Sequence, residues 1–316
     1  MTFSFTSLGS ASAMPTVDRF PSAHVLNVHE RLFLIDCGEG CQLKLRKYGF
    51  SFLKIHEIFI SHLHGDHIFG LWGLLSTMSM LGRTADITIF APVSFGPVLD
   101  SLLKHFGAGF LFKVKHVKLK GDDLLPLFET KSAEVYAFPL NHRIDCFGFL
   151  FREKKPPRNI RKHLIEPNKL SLYEIARLKE GSDVAREDGQ VLENDYFTYL
   201  PYNPRSFAYC SDTAPFEGLK DYVEGCDLLY HEATFASDLS AMARKTMHST
   251  ATDAARCALD AKVAKLVIGH FSSRYKNTDV LLNEARDLFP GTYIAQEGMV
   301  FEVPLVKPYK SNQSNL

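Results

Sequence analysis

Residues 61–67 read Ser61-His62-Leu63-His64-Gly65-Asp66-His67 and follow directly on the strand-like run Ile55-His56-Glu57-Ile58-Phe59-Ile60. Three imidazoles and a carboxylate within six positions, with the turn residues Gly65 and Asp66 between them, form a loop whose side chains converge on one point. Neutral imidazole and carboxylate suit zinc, whereas magnesium or calcium prefer oxygen ligands alone.

Working outward, short apolar runs alternate with helical patterns, which predicts an α/β arrangement. Strands are expected at Ala23 to Val28, Arg31 to Ile35, Ile87 to Phe90, Glu134 to Leu140, Ser206 to Cys210, Leu228 to Tyr230 and Lys265 to Ile268. Helices are expected at Ile68 to Met80, Val93 to Phe106, Thr250 to Ala261 and Thr278 to Phe289. Three of these strands run into a metal-competent side chain: His142, Asp212 and His270. Ligands at strand ends are held by a rigid sheet, while the loop beyond leaves room for substrate.

With His62, His64, Asp66, His67, His142, Asp212 and His270 there are too many ligands for one tetrahedral ion. The natural partition places His62, His64 and His142 on one zinc, Asp66, His67 and His270 on a second, and Asp212 between them. Paired ions roughly 3.5–4 Å apart acidify water and stabilise the attacking and leaving oxygens of a phosphodiester. Phosphoryl chemistry is thus favoured, with acyl hydrolysis left open.

A hydrophobic content of 46% against 23% charged fits a soluble chain with a large core. No basic leader followed by an apolar stretch is present and no apolar run reaches membrane-spanning length, so a cytoplasmic protein without membrane contact is expected. Cys37, Cys41, Cys146, Cys210, Cys226 and Cys257 are scattered in apolar segments, as reduced core thiols are. Cys37 and Cys41 lack the second cysteine pair of a thiolate zinc site. The net charge of zero means that a polyanion must be met by a local basic patch.

The His-x-His-x-Asp-His loop and the order of the later ligands resemble the metallo-β-lactamase superfamily, whose αβ/βα fold is a four-layer sandwich. His231-Glu232-Ala233-Thr234, His248-Ser249-Thr250 and His270-Phe271-Ser272-Ser273-Arg274-Tyr275 narrow the likeness to the ribonuclease Z family over residues 1 to about 303. That resemblance implies a short-form, homodimeric endoribonuclease with two zinc ions per subunit, manganese being an alternative. Its substrate would be precursor tRNA, cut after the discriminator base to leave a tRNA 3′-hydroxyl and a trailer 5′-phosphate. It further implies that Asp66 is the proton acceptor and that His248 contacts the scissile phosphate or protonates the leaving oxygen, with Glu232 holding His248. On local pattern alone, His248 merely precedes a helix capped by Ser249 or Thr250 with Asp253.

The family's tRNA-binding arm is expected as a basic insertion at 152–180 in a catalytic domain of 1–306. Residues 152–163 carry six basic side chains against Glu153, and Lys154, Lys155, Arg158, Arg161 and Lys162 are the candidate phosphate contacts. The arm is not Gly-Pro-rich but reads Glu166-Pro167-Asn168-Lys169. The N-terminal loop keeps Pro15 and Arg19 of the family's Pro-x-Lys-x-Arg-Asn pattern but not its Lys and Asn, which bears on the response to an encoded CCA end. Arg19 and Arg274 are further candidate substrate contacts. Lys113 to Lys120 is expected as a solvated edge strand, and 307–316 as a flexible tail. Two other readings are a small-molecule or cyclic-nucleotide phosphodiesterase, which would need no arm, and a catalytically silent RNA-binding protein.

Overall fold

Strand β1 (Phe3–Gly9) turns Phe3, Phe5 and Ser7 to one face and Leu8 to the other, the alternation that an extended backbone imposes. The same two-sided pattern recurs along β2 (Ala23–Val28), β3 (Arg31–Cys37), β4 (Ile55–Phe59), β5 (Ile87–Pro92) and β6 (Val114–Leu119). Together with β18 (Val300–Glu302) they form a seven-stranded sheet in the order β18-β1-β2-β3-β4-β5-β6. Pairing is antiparallel among β18, β1, β2 and β3, and parallel from β3 to β6. The lysine-rich β6 is the edge strand expected of it. The computed structural model describes residues 1–307, so the tail reading lies almost wholly outside the described residues.

A second seven-stranded sheet begins with β7 (Leu125–Glu129), β8 (Ala133–Pro139) and β9 (Phe147–Glu153). It continues with β14 (Ser206–Cys210), β15 (Leu228–Glu232), β16 (Leu266–Gly269) and β17 (Thr292–Ile294), in the order β17-β16-β15-β14-β9-β8-β7. Strands β14 to β17 run parallel. The layer between the sheets is dominated by aromatic rings, including Phe5, Phe33, Phe59, Phe149, Phe151 and Phe207, all at most 1% exposed. Phe59 stacks on Phe90 with centroids 4.8 Å apart. Each such ring contributes about 1.5–3 kcal/mol of burial.

Helices cover the outer faces. Cys41–Lys47, Leu71–Met80 and Phe95–Phe106 pack on the first sheet through Leu45, Leu74, Leu75, Met78, Phe95 and Leu99. Ala251–Asp260 and Asp279–Leu288 pack on the second through a row of alanines and Leu281. The order is helix, sheet, sheet, helix. Among the described residues no helix is long and apolar enough to cross a membrane. The cysteines are free, and all but Cys257 are buried.

Both sheets belong to one compact unit of 1–129, 133–152 and 206–303. A second unit contains 130–132, 153–205 and, among the described residues, 304–307, so it runs past residue 180, the expected end of the arm. It has two small ribbons, β10 (Asn159–Ile160) with β13 (Thr198–Tyr199) and β11 (Val184–Ala185) with β12 (Val191–Leu192). Its helix Leu172–Glu180 starts at a capping box of Ser171 and Glu174. Leu170, Leu178, Leu192 and Phe197 form a core of its own.

Candidate metal centre

Parallel strands deliver their following loops to one end of their sheet; the loop after β4 of the first sheet carries His62 to His67, and the loops after β14, β15 and β16 of the second carry Asp212, Thr234 and His270. After β4 the chain stays extended through His62 and His64, then makes one helical turn, Gly65–Ile68, which turns Asp66 and His67 inward. The expected helix from Ile68 to Met80 is broken at Phe69-Gly70 and resumes at Leu71. The cause is a close backbone approach: the Gly70 N–H donates to Cys37 O at 2.9 Å, and a Cβ on Gly70 would lie 2.1 Å from Gly38 O.

The seven expected ligands come together in two groups. His62 Nε2 lies 2.9 Å from His64 Nδ1 and 3.5 Å from Asp212 Oδ2, and His142 Nε2 lies 3.3 Å from His64 Nδ1. In the second group, His67 Nε2 lies 3.3 Å from His270 Nε2, which is 3.3 Å from Asp66 Oδ2. Asp212 turns Oδ2 to the first group and Oδ1 to the second, 3.5 Å from His67 and 3.2 Å from His270. His248 makes a third, overlapping set with Asp212 and His270.

Ligand atoms bonded at about 2.0–2.1 Å to a tetrahedral ion lie about 3.3 Å from one another. The separations here cluster near that value. Asp212 Oδ1 is buried without a hydrogen-bond donor, as an anionic oxygen facing a cation would be. The donor set and its spacing therefore fit two divalent ions.

Electrostatics agree. Burial holds the pKa values of His62, His64 and His142 below the ordinary range, reinforced by neighbouring imidazoles and opposed by Asp212. Neutral imidazole is the form that ligates metal. At His67 burial is outweighed by Asp212, Asp66 and Asp36, which raise its pKa. The carboxylates hold positive charge at that centre. Asp66 and Asp212 are correspondingly driven far below the usual carboxylate range by the imidazoles, against burial.

The outward nitrogens of four imidazoles are fixed by residues to which the sequence assigned no such role. His67 Nδ1 donates to Asp36 Oδ2 at 2.8 Å, His62 Nδ1 meets Ser61 Oγ at 3.0 Å, His142 Nδ1 donates to Met247 O at 2.9 Å, and His270 Nδ1 meets Thr234 Oγ1 at 3.1 Å. Such partners set tautomer and ring orientation. Asp36 ends an apolar strand, as His142, Asp212 and His270 follow theirs, and that signal could have found it. The fully buried carboxylate also accepts from Ser61 N–H and Tyr209 OH.

Beside the groups, Ala13 N–H donates to Asp66 Oδ2 at 2.7 Å. His248 Nδ1 donates to Glu232 Oε1 at 2.9 Å. Burial opposes protonation of His248, but Glu232 and Asp212 push its pKa up to about 9. The helix after His248 is capped by Thr250 and Asp253, so the capping pattern and the Glu232 contact coexist. A cavity of about 580 Å³ opens over the cluster, lined by His64, Asp66, Phe69, His142, His248 and His270 among others. Eight non-glycine residues have positive φ among the described residues, and four of them, Ala13, Asp36, Met247 and His270, belong to this centre or bond to it.

The remaining candidates lie elsewhere. Arg19 Nη2 donates to Tyr275 O, away from the His/Asp cluster. Arg274 is exposed, with its guanidinium 5.5 Å from the centre of the Phe235 ring. In the second unit Lys155, Arg161 and Lys162 are exposed and Lys154 is half-buried. Arg161 lies over Tyr199 at 5.7 Å. Arg158 is engaged by Asp195 and by Thr198 Oγ1, so its charge is already partly answered.

A family model described as Anti-Pycsar protein Apyc1 matches residues 3–108. Ribonuclease Z of Bacteroides thetaiotaomicron is 43% identical over 296 residues, covering 94% of this chain and 94% of that protein. Human tRNase Z, short form, superposes with a TM-score of 0.69 at 26% identity, covering 95% of this chain and 99% of its own. The metallo-β-lactamase fold protein YhfI of Bacillus subtilis also gives a TM-score of 0.69, at 19% identity, covering 96% of this chain and 100% of that one. The sandwich is thus the metallo-β-lactamase fold expected from the sequence.

Proposed function

The chain belongs to the ribonuclease Z family, and on that premise we propose that it is an endoribonuclease that removes 3′ trailers from precursor tRNA. Cleavage is by phosphodiester hydrolysis after the discriminator base, leaving a tRNA 3′-hydroxyl and a trailer 5′-phosphate. The observation that carries the reading is the paired cluster, in which Asp212 offers one oxygen to each of two ligand groups.

In this reading His62, His64 and His142 would hold one zinc ion and Asp66, His67 and His270 the other, with Asp212 available to both sets and manganese an alternative on the same donors. When bound, such ions supply Lewis acidity to the phosphate and lower the pKa of water in the site. The chain's own groups do the rest. The Asp66 carboxylate, steadied by Ala13 N–H, takes the proton of the attacking water. His248, whose Nδ1 is bonded to Glu232, delivers a proton from Nε2 to the departing O3′. Lys154, Lys155, Arg158, Arg161 and Lys162 of an arm within 152–180 meet tRNA phosphates, as do Arg19 and Arg274 of the main unit. The proposal takes the protein as a cytoplasmic homodimer, with residues 1–306 as its catalytic domain.

Two end-labelled precursor tRNAs, one with an encoded CCA and one without, test it alongside Asp66→Ala. The expected result is one metal-dependent cut after the discriminator, abolished in the variant while tRNA binding persists. Comparison of the precursors reads out the altered Pro15–Phe20 loop. No cut, with hydrolysis of bis(p-nitrophenyl) phosphate intact, would move the assignment to a small-molecule phosphodiesterase. Absence of bound metal would move it to an RNA-binding protein.

A further inference from the structure

The phenylalanine layer between the sheets becomes polar where it approaches the cluster. Ser7, His24 and Tyr230 project from β1, β2 and β15 and are fully buried. Ser7 and His24 are register partners across β1 and β2, and the His24 and Tyr230 rings lie 4.6 Å apart. Ser7 Oγ, His24 Nδ1 and Tyr230 OH have no protein hydrogen-bond partner. Three neighbouring buried polar atoms of this kind are rare, because each left unmatched costs about 1–3 kcal/mol in general. A single water making about three hydrogen bonds is the usual solution.

The other face of His24 leads to the cluster. Its Nε2 lies 3.4 Å from Ser22 Oγ, which is 3.1 Å from Tyr209 OH. Tyr209 OH donates to Asp36 Oδ2 at 2.7 Å, and Asp36 accepts from His67 Nδ1 at 2.8 Å. Tyr209 O–H donates to Asp36, and Ser22 O–H donates to Tyr209 or to Asp36 Oδ2 at 3.5 Å; in either case the Ser22 hydrogen is used, and the consistent direction at His24 is Nε2–H to Ser22. That direction requires the proton of His24 on Nε2, so Nδ1 must accept. Neither Ser7 nor Tyr230 reaches it, and a water held by both can donate to it. Gly269 admits the Tyr230 side chain: a Cβ there would lie 2.3 Å from the hydroxyl, so the glycine lets the tyrosine take this position.

We propose that Ser7, His24 and Tyr230 bind one internal water, and that through it His24 acts as a positioning residue that fixes the Asp36–His67 pair and presents His67 Nε2 to the metal. The water donates to His24 Nδ1 and accepts from Tyr230 OH. The inference concerns hydrogen bonding behind His67 and holds whichever phosphodiester the protein cleaves.

The test has two readouts. A crystal structure that resolves ordered water should show one within about 2.7–3.2 Å of all three atoms, and Tyr230→Phe should lose or displace it. Zinc affinity, measured on the full chain by competition with a chromogenic chelator, should fall roughly 10–100-fold in His24→Leu, the range for partners of metal-bound histidines. His24→Gln, which keeps a polar atom facing each way, should recover most of that loss. Wild-type protein without such a water, or folded His24→Leu with wild-type zinc affinity, overturns the proposal. Should His24→Leu not fold, Tyr230→Phe decides, since it removes only a hydroxyl: unchanged water density and zinc affinity overturn the proposal, and loss of both supports it. Failure of zinc to bind wild-type protein would count against the proposed function, and the density would still report on the water.

Discussion

Glu232 Oε1 and His248 Nδ1 lie 2.9 Å apart, and the same carboxylate accepts the N–H groups of Thr213, Thr234 and Ser249. Glu232 is thus both a structural hub and the partner of His248. His248→Ala should lower kcat for precursor tRNA by about 10²–10⁴-fold. Glu232→Gln should lower it by about 10–100-fold, and combining the two should add little, because the residues act as a unit. Single-turnover cleavage checks this, and a strictly multiplicative loss in the double variant would contradict it.

Charge on the second unit should appear as salt dependence. Neutralising Lys155, Arg161 or Lys162 should weaken precursor tRNA binding across sequences and reduce the slope of log Kd against log salt by about 1 for each phosphate that is no longer neutralised. Hydrolysis of bis(p-nitrophenyl) phosphate should be unaffected. Binding measured at several salt concentrations decides; an unchanged slope removes these residues from the interface.

The Glu153 and Arg205 side chains are 1% and 4% exposed and meet at 2.7 Å between Oε1 and Nη2. Arg205→Ala leaves a carboxylate buried beside a missing cation and should cost about 3–5 kcal/mol. Urea denaturation followed by circular dichroism measures this. A loss under about 1 kcal/mol, within the range of an exposed pair, would show that the charge is solvated after all.

Arg186 and the Ser171 N–H hold the Glu174 pKa down to about 2, against an ordinary 4.5. A depressed folded-state value means that the stabilisation is present in full above about 4.5 and drains away as pH falls towards 2. Glu174→Gln should therefore be less stable than the parent near pH 6, with the difference narrowing below pH 4.5. Denaturation midpoints from pH 6 to 3 test it; a constant difference would refute the assignment.

The residues of the cluster were legible because they are short-range in sequence or sit at the ends of apolar runs: His62 to His67 in one loop, and His142, Asp212 and His270 each just beyond a strand. What escaped is what only tertiary contact creates. Nothing local distinguishes the Phe69-Gly70 break from a continuous helix, since its cause is the backbone of Gly38. Asp36 and Thr234 gain their roles from His67 and His270, 31 and 36 residues away. Arg158 reads as a free cation until Asp195, 37 residues later, is brought against it.

The left-handed residues around the centre place backbone strain where the cluster is positioned. Met247 offers its carbonyl to His142 from a φ of 61°, immediately before His248, and Ala13 steadies Asp66 from a φ of 58°. Glycine at either position would relieve backbone strain of order 1–2 kcal/mol. A laboratory search for heat-resistant variants would be drawn to these two sites. Glycine there would also free the carbonyl that meets His142 and the N–H that meets Asp66, so the strain sits in the same few peptide units that position the cluster.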